Sequence, residues 1–292
     1  MNATVSSSSH QRTAGNTPTP DRPATGRRPS VWVLGRRRGV LELKMYFRTK
    51  EAVVFNFAFP IMLLMLFGSI FGGEIEGTGV NYKQVLVAGV MAASLMSVSF
   101  SNLAMNIAVE RDEGTLKLLA LSPVPPAAYF IGKVLMVLVC AATVDALALV
   151  IGVLFFGLTV PTDPMRWLVF GGVFSLGVAA CSLLGIAYSR IARTAKAAAA
   201  VVTPPFIALQ FISGVWLPYE ALPTPLQWLS SIFPLRWIVQ GMRYVFLPDS
   251  FLVSEPTRSW QLPAAFGILA GWVLVGAVLS RLTFRWNNRT DR

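Results

Sequence analysis

The sequence predicts an all-α, polytopic membrane protein with six transmembrane helices, and three observations support this fold class. Hydrophobic residues make up 54% of the 292 residues and charged residues only 13%, well below the charged share of a water-soluble domain. Six apolar segments are each long enough to cross about 30 Å of hydrocarbon. Lysines and arginines are concentrated in alternate connections between these segments.

The chain divides into three predicted regions. Residues 1–30 are rich in Ser, Thr, Pro and Arg and contain no apolar run, so we expect a disordered cytoplasmic tail rather than a secretory signal. Residues 31–51 combine basic side chains with apolar ones at helical spacing, which predicts an interfacial amphipathic helix over anionic membrane lipids. A solvated linker is the alternative for that stretch. Residues 52–292 form the predicted six-span transmembrane domain.

Hydropathy gives the approximate limits of the six spans. They are 53–72, 84–107, 130–157, 167–189, 197–216 and 263–282. The fifth span contains Pro204 and Pro205, which predict a kink because proline cannot donate the helical hydrogen bond. The third span is longer than a bilayer requires, so we expect it to tilt or to extend beyond the membrane.

The distribution of basic residues predicts the orientation. With both termini in the cytoplasm, 20 of the 25 lysines and arginines fall in cytoplasmic segments, whereas the acidic residues divide almost evenly. This is the bias that orients membrane proteins. The net charge of +11 is therefore explained by topology, and we expect no nucleic-acid partner.

A short charged stretch follows the second span. Glu110, Arg111, Asp112 and Glu113 are expected at the start of a cytoplasmic helix, where the helix dipole favours acidic side chains. Leu116, Leu119 and Ala120 then form one apolar face, and prolines at 123, 125 and 126 end the helix. The pattern predicts a short amphipathic helix over 110–122 that docks on a partner. A plain solvated loop is the alternative.

The same stretch resembles a known family. The run Glu110-Arg111-Asp112-Glu113-Gly114-Thr115-Leu116, followed by Leu119, Ser122-Pro123 and, after Tyr129, Gly132-Lys133, is similar to the signature of the type-2 ABC exporter permeases. The resemblance also covers the basic elbow before the first span, the six spans and the long aromatic outer loop. Among subgroups, the chain is most similar to the bacterial multidrug and daunorubicin-resistance permeases.

The resemblance implies a coupling helix that inserts into a groove of an ATP-binding subunit. Glu110, Arg111, Glu113, Gly114 and Thr115 would be its polar docking and hinge residues, with Leu116 and Leu119 as apolar contacts. It also implies a dimer with a second permease copy or a close relative, two ATP-binding subunits, and a multi-pass protein of the bacterial cell membrane. The substrate would be amphiphilic: a drug, an antibiotic or a lipid-like molecule.

The chain has no phosphate-binding loop of the G-x-x-x-x-G-K-[ST] type. We therefore expect it to bind no cofactor and to be no enzyme, while the separate subunit uses the ATP. A membrane-embedded hydrolase is disfavoured, because the single histidine, His10, lies in the tail. Cys140 and Cys181 lie in apolar runs, which argues against a disulfide or a Cys metal site.

Several polar residues are candidates for a transport pathway. These are Asn102, Asn106, Asp145, Gln210, Arg236 and Arg243. Asp145 is the only acidic residue inside a span, and an isolated carboxyl group in hydrocarbon is costly. The amides are explained equally well by hydrogen bonds between helices. The two arginines share a helical face in the outer loop 217–262, which the family forms as re-entrant helices; an ordinary aromatic belt is the alternative.

Two other functions remain open at this point. Related permeases export polysaccharides or glycolipids, and the sequence does not separate that function from drug export. From a different class, an ion-coupled secondary transporter or channel would need no ATPase. That class predicts internal repeats and several charges within the spans, whereas the sequence shows no clear repeat and Asp145 alone.

Overall fold

The structure is a computed structural model that describes residues 30–122, 125–255 and 257–283. Most of the predicted tail at 1–30 therefore lies outside the described residues. The same is true of Pro123, which was predicted to help end the coupling helix, and of the basic residues beyond 283.

Helices dominate the described chain. They are α1 (Val31–Arg48), α2 (Lys50–Ile70), α3 (Tyr82–Met96), α4 (Leu103–Asp112), α5 (Thr115–Leu121), α6 (Pro126–Phe156), α7 (Pro164–Tyr188), α8 (Ala195–Ile212), α9 (Thr224–Ile232), α10 (Pro234–Phe246) and α11 (Leu262–Thr283). A two-residue antiparallel pair, β1 (Glu74–Ile75) and β2 (Val80–Asn81), joins α2 to α3. The observed class is thus a polytopic helical bundle, as predicted.

Five helices of the described chain are long and apolar enough to cross a membrane. They are Tyr82–Asp112, Pro126–Phe156, Pro164–Tyr188, Ala195–Ile212 and Leu262–Thr283. These helices lie where the second to sixth spans are predicted. The first predicted span corresponds to α2, a 21-residue helix with an internal Pro60, in which Ala58–Ile70 is a shorter apolar part. That part is shorter than a full span, so a membrane crossing by α2, the first predicted span, remains a prediction.

The second span is not a uniform α-helix. Between α3 and α4 the backbone forms a π-helical segment, Ser97–Asn102. Its carbonyl groups lie against α7 at Gly185, where an added Cβ would be only 2.8 Å from the Phe100 carbonyl oxygen. Close packing against the π segment therefore requires a glycine at this position.

Helix α1 packs along α6 through small residues. Cβ atoms at Gly35 and Gly132 would be 2.5 Å from Ile131 and 2.6 Å from Arg38, respectively. The face of α1 that is buried carries Gly35, Gly39 and Glu42, while apolar side chains such as Trp32 are exposed. A helix thus occupies most of the predicted amphipathic stretch; its position at a membrane surface remains a prediction.

Helix α8 runs through both prolines but ends at Ile212, four residues before the predicted limit of the fifth span. Gly214 then turns the chain with φ of 79°. The two short helices α9 and α10 follow, so the helical character predicted for the outer loop is confirmed. Helix α10 is almost entirely buried and packs against α3, α7 and α11.

The bundle has two ends, named here by their short helices. At the α5 end, Arg190 at the close of α7 contacts the carbonyl of Thr283, the last described residue. At the α10 end, Arg166 at the start of α7 donates to the Leu247 carbonyl after α10. Helix α1 reaches the α5 end through the Arg38–Glu110 contact. Helix α1 and the last turn of α11 therefore both lie at the α5 end of the bundle.

Candidate functional site

A buried ion cluster joins three helices at the α5 end. The Lys133 ammonium lies 2.6 Å from Glu110 Oε1 on α4 and 2.8 Å from Glu42 Oε2 on α1. Arg38 pairs with Glu42 at 2.6 Å, and the Tyr129 hydroxyl donates to Glu110 Oε2 at 2.6 Å. Two cations face two carboxylates, so the cluster balances its own charge. We call these five residues the Lys133 cluster.

The neighbouring residues of α4 make two further ties. Arg111 donates to the carbonyl and the hydroxyl of Ser189, just after α7, at 3.0 and 2.9 Å. Asp112 accepts from the Ala195 amide at 2.9 Å, at the first residue of α8. Such a carboxylate satisfies a free N–H of the helix terminus and complements its dipole. Three consecutive residues thus link α4 to different parts of the bundle.

This geometry corrects the predicted coupling helix. Glu110, Arg111 and Asp112 close α4 instead of opening a helix over 110–122. Gly114 then adopts a left-handed conformation with φ of 78°, and the separate seven-residue helix α5 begins at Thr115. Because glycine enters this conformation without the Cβ penalty, it suits the junction between the two helices. Glu113, in the turn, is exposed, and Thr115 is half-buried.

The apolar face of α5 also differs from the prediction. Leu116 is fully buried in the main core, and Leu119 is half-buried against it. Leu118 and Leu121 are instead 71% and 85% exposed. The expected exposure of Leu116 is therefore wrong, because the helix begins five residues later and presents another side. We call Leu118 and Leu121 the exposed leucine pair.

The candidate pathway residues do not meet in one place. Asn102 and Asn106 line a small cavity of about 220 Å³ beside the Lys133 cluster, together with Glu42 and Glu110. Gln210 accepts a 3.0 Å hydrogen bond from the Trp216 indole. Asp145 is buried on α6, and neither of its carboxyl oxygens has a partner in the structure. The structure thus separates these amides and this carboxyl group.

Arg236 and Arg243 belong to a second buried ion cluster, at the α10 end. Arg243 pairs with Glu255 at 3.0 Å and donates to the Gly214 carbonyl at 2.8 Å. Arg236 lies 3.6 Å from the same carboxylate and 3.9 Å above the Tyr219 ring, and it also bonds Gln240. Burial lowers the pKa of the Arg236 guanidinium, while the Glu255 charge opposes that shift.

Sequence reasoning did not find Glu42 or Glu255. Glu255 lies 12 residues after Arg243 across a 3-10 turn, a separation that no helical periodicity reveals. Glu42 did carry a signal, because it is an isolated acidic residue four positions after Arg38 in a basic helix. That i, i+4 spacing predicts an ion pair along one face.

The long apolar helices, with the short helix α5 at one end of the bundle, define a polytopic helical membrane protein. The chain belongs to the ABC-2 type transporter family, whose model matches residues 34–247. That match includes nearly all of α1, both ion-cluster helices α6 and α10, and the whole of α5. Membership implies association with an ABC ATP-binding subunit and a multi-pass position in the plasma membrane.

Curated relatives agree with this family. The chain is 27% identical over 191 residues to the inner membrane transport permease YadH of Escherichia coli, which covers 64% of this chain and 72% of the relative. It is 20% identical over 200 residues to the putative transport permease YvfS of Bacillus subtilis, covering 68% and 79%. It is 23% identical over 231 residues to the putative transport permease ycf38 of Porphyra purpurea, covering 77% and 75%.

Proposed function

We propose that this chain is the permease subunit of an ATP-driven exporter in which α5 receives the motion of the ATP-binding subunit. One observation carries the proposal: the exposed leucine pair projects from a short helix whose base is tied to the rest of the bundle. Leu118 and Leu121 are 71% and 85% exposed, and removing them from water at a partner's surface would lower the free energy.

The ties at the base of α5 support a mechanical role. Glu110 bonds Lys133 on α6, Arg111 bonds Ser189 after α7, and Asp112 bonds the first amide of α8. When two ATP-binding subunits close on ATP, a displacement of α5 would pass through these contacts to three membrane helices together. Concerted movement of several spans is what a change of access across the bilayer requires.

The wider assembly follows from the same proposal. Two permeases, either identical or one with a close relative, would work with two ATP-binding subunits. The α5 end and both termini would lie in the cytoplasm, as the distribution of basic residues predicts. Helix α2 would be the first of the six spans, α1 would lie at the membrane surface, and α9 and α10 would form the re-entrant outer helices.

The proposed substrate is an amphiphilic molecule, such as a drug, an antibiotic or a lipid, moved out of the cytoplasm. The resemblance to multidrug-type permeases motivates this choice. The second buried ion cluster, formed by Arg236, Arg243 and Glu255, would hold the aromatic helices α9 and α10 in place at the α10 end, where the substrate would leave.

The test is affinity purification of the tagged chain in mild detergent, asking whether an ATP-binding subunit copurifies. Leu118→Asp and Leu121→Asp change only exposed positions, so we expect normal permease yield but loss of the partner. Val253→Asp is the matched control, because Val253 is 63% exposed but lies at the α10 end. Retention of the ATP-binding subunit by the Leu118→Asp, Leu121→Asp double variant would disprove the docking role of α5.

A further inference from the structure

A large groove lies between α8 and α11 and is separate from both ion clusters. Its volume is about 980 Å³, and its walls include Phe100 of the π segment, Leu184, Leu209 and Trp272. Cavities of 300–1,000 Å³ are typical of sites that enclose one small or medium-sized ligand. The groove is therefore large enough for one amphiphile.

The groove has an uneven distribution of charge. Arg111, Arg190 and Arg193 line it at the α5 end, and its lining contains no acidic residue. Within the part of the chain that the structure describes, none of these three guanidinium groups forms an ion pair. These three side chains place like charges, which repel one another, along one mouth of the groove. An anion placed at this mouth would relieve that repulsion.

The length of the groove matches one leaflet of a membrane. Trp272 marks its inner limit on α11 and Thr283 its mouth, eleven residues farther along the helix. At 1.5 Å per residue this is roughly 16 Å, about half of the 30 Å hydrocarbon core. The apolar walls thus extend over the depth that one acyl chain occupies.

The rim of the groove is accessible from the side of the bundle. Ile191, just after α7, and Leu279 on α11 both line the groove and are 56% and 37% exposed, as expected of residues that face lipid. The Arg190 and Arg193 side chains are also exposed. A lipid molecule of the surrounding leaflet could enter the groove laterally between α8 and α11 without passing through the aqueous phase.

We infer that this groove is a binding site for an anionic phospholipid of the leaflet at the α5 end. The phosphate contacts Arg190 and Arg193, with Arg111 behind them, and one acyl chain lies along Phe100, Leu209 and Trp272. Guanidinium groups bind phosphate through charge-assisted, often paired hydrogen bonds. The inference needs neither the ATP-binding subunit nor an exported substrate, so it stands or falls separately from the proposed function.

The test uses the full-length purified chain, stripped of lipid by extended detergent washing. Dioleoylphosphatidylglycerol and dioleoylphosphatidylcholine are titrated separately, and native mass spectrometry counts the lipids bound per chain. We expect one tightly bound phosphatidylglycerol and much weaker binding of phosphatidylcholine. Equal binding of the two lipids would overturn the inference, because the arginines would then make no contribution.

Two variants locate the lipid. Arg190→Gln with Arg193→Gln should weaken phosphatidylglycerol binding by on the order of tenfold, since each basic residue near a lipid surface contributes about one power of ten or less. Lys196→Gln with Arg281→Gln is the matched control: it removes the same charge at exposed positions near the α5 end, outside the groove lining. An equal effect of both pairs would indicate general surface attraction and overturn the site.

A third variant tests the apolar part without changing charge. Leu209→Trp fills the groove and should displace the phosphatidylglycerol, which decides the question even if the arginine variants fold poorly. Photo-crosslinking from Leu279→benzoylphenylalanine should label phosphatidylglycerol in the wild-type background. Labelling of a second copy of the chain, or of its own residues 284–292, in place of lipid would show a different occupant and contradict the inference.

Discussion

The ammonium of Lys133 on α6 and the carboxylate of Glu110 on α4 form an ion pair of 2.6 Å, with the lysine side chain 2% exposed. The same ammonium reaches Glu42 of α1. One buried charge therefore connects the helix that precedes the spans, the helix that ends beside α5, and a long membrane span.

Replacing Lys133 with Met should destabilise the permease strongly. Removing one partner of a buried ion pair typically costs about 3–5 kcal/mol, because the remaining charges stay buried without compensation. Thermal unfolding of the detergent-solubilised chain measures the effect. Adding Glu42→Gln should restore part of the lost stability by rebalancing the charge. Lys44→Met, at an exposed position of α1, is the control; a Lys133→Met chain as stable as this control would contradict the prediction.

Truncating Leu116 should lower the stability of the permease, whereas truncating Leu118 should hardly change it. Leu116→Ala removes a fully buried side chain and should cost about 2–5 kcal/mol of unfolding free energy. Leu118→Ala changes a side chain that is 71% exposed and should leave the stability of the isolated permease within about 0.5 kcal/mol. Denaturation of the two variants, purified without the ATP-binding subunit, gives the comparison. Similar losses from both would mean that α5 does not pack as described.

Two glycines of α7 provide a matched pair. A Cβ at Gly185 would lie 2.8 Å from the Phe100 carbonyl oxygen, whereas nothing lies within 4 Å of a Cβ at Gly171. Gly185→Ala should therefore separate α7 from the π segment and lower the melting temperature. Gly171→Ala should be neutral or raise stability by about 0.5–1 kcal/mol, because alanine favours the helix. The reverse order of melting temperatures would refute the close approach.

Arg243 should be essential for the α10 end. Its guanidinium bonds Glu255 and the Gly214 carbonyl, and its side chain is 2% exposed. Arg243→Gln leaves Glu255 with a weaker partner, so we expect faster proteolysis between α9 and α11 and a lower melting temperature. Arg258→Gln, at an exposed position nearby, is the control and should behave as wild type. Indistinguishable digestion patterns for the Arg243→Gln variant and wild type would show that Arg243 does not stabilise the α10 end.

Asp145 should prove dispensable for stability. Among the described residues, neither carboxyl oxygen of Asp145 has a partner although the side chain is buried, and an unsatisfied buried polar group costs about 1–3 kcal/mol. Asp145→Leu should therefore melt at the same temperature as wild type or higher. If that variant is stable but inactive in transport, Asp145 has a direct role; if it unfolds, an unseen partner supports it.

The spans were the most predictable part of the fold. Long apolar runs limit their own structure in a bilayer, because every backbone group must bond within its helix. The π segment was not predicted, although the polar residues Ser97, Ser99, Ser101 and Asn102 fall within it. Local hydropathy does not encode a change in hydrogen-bond register, which here depends on the packing of Gly185 against Phe100.

The docking region shows why a correct motif can still be misplaced. The acidic residues Glu110, Asp112 and Glu113 predict a helix start, yet Gly114 follows them as a helix-ending residue in the left-handed conformation. The sequence predicts a helix start at Glu110, whereas the helix begins at Thr115. The predicted apolar face therefore carries Leu116 and Leu119, while the leucines exposed in the structure are Leu118 and Leu121. The pairing of Glu110 with Lys133 spans 23 residues and two helices, and only the tertiary structure brings them together.

The tie between Asp112 and the Ala195 amide also sets an order on biogenesis. The two residues are 83 positions apart, so the acceptor leaves the ribosome well before its donor. A nascent chain that has inserted only its first spans therefore lacks the hydrogen bond between Asp112 and Ala195 at the base of α5. The α5 surface, which we propose as the contact with the ATP-binding subunit, is complete only once α8 has been synthesised and inserted, which makes assembly a late event in synthesis.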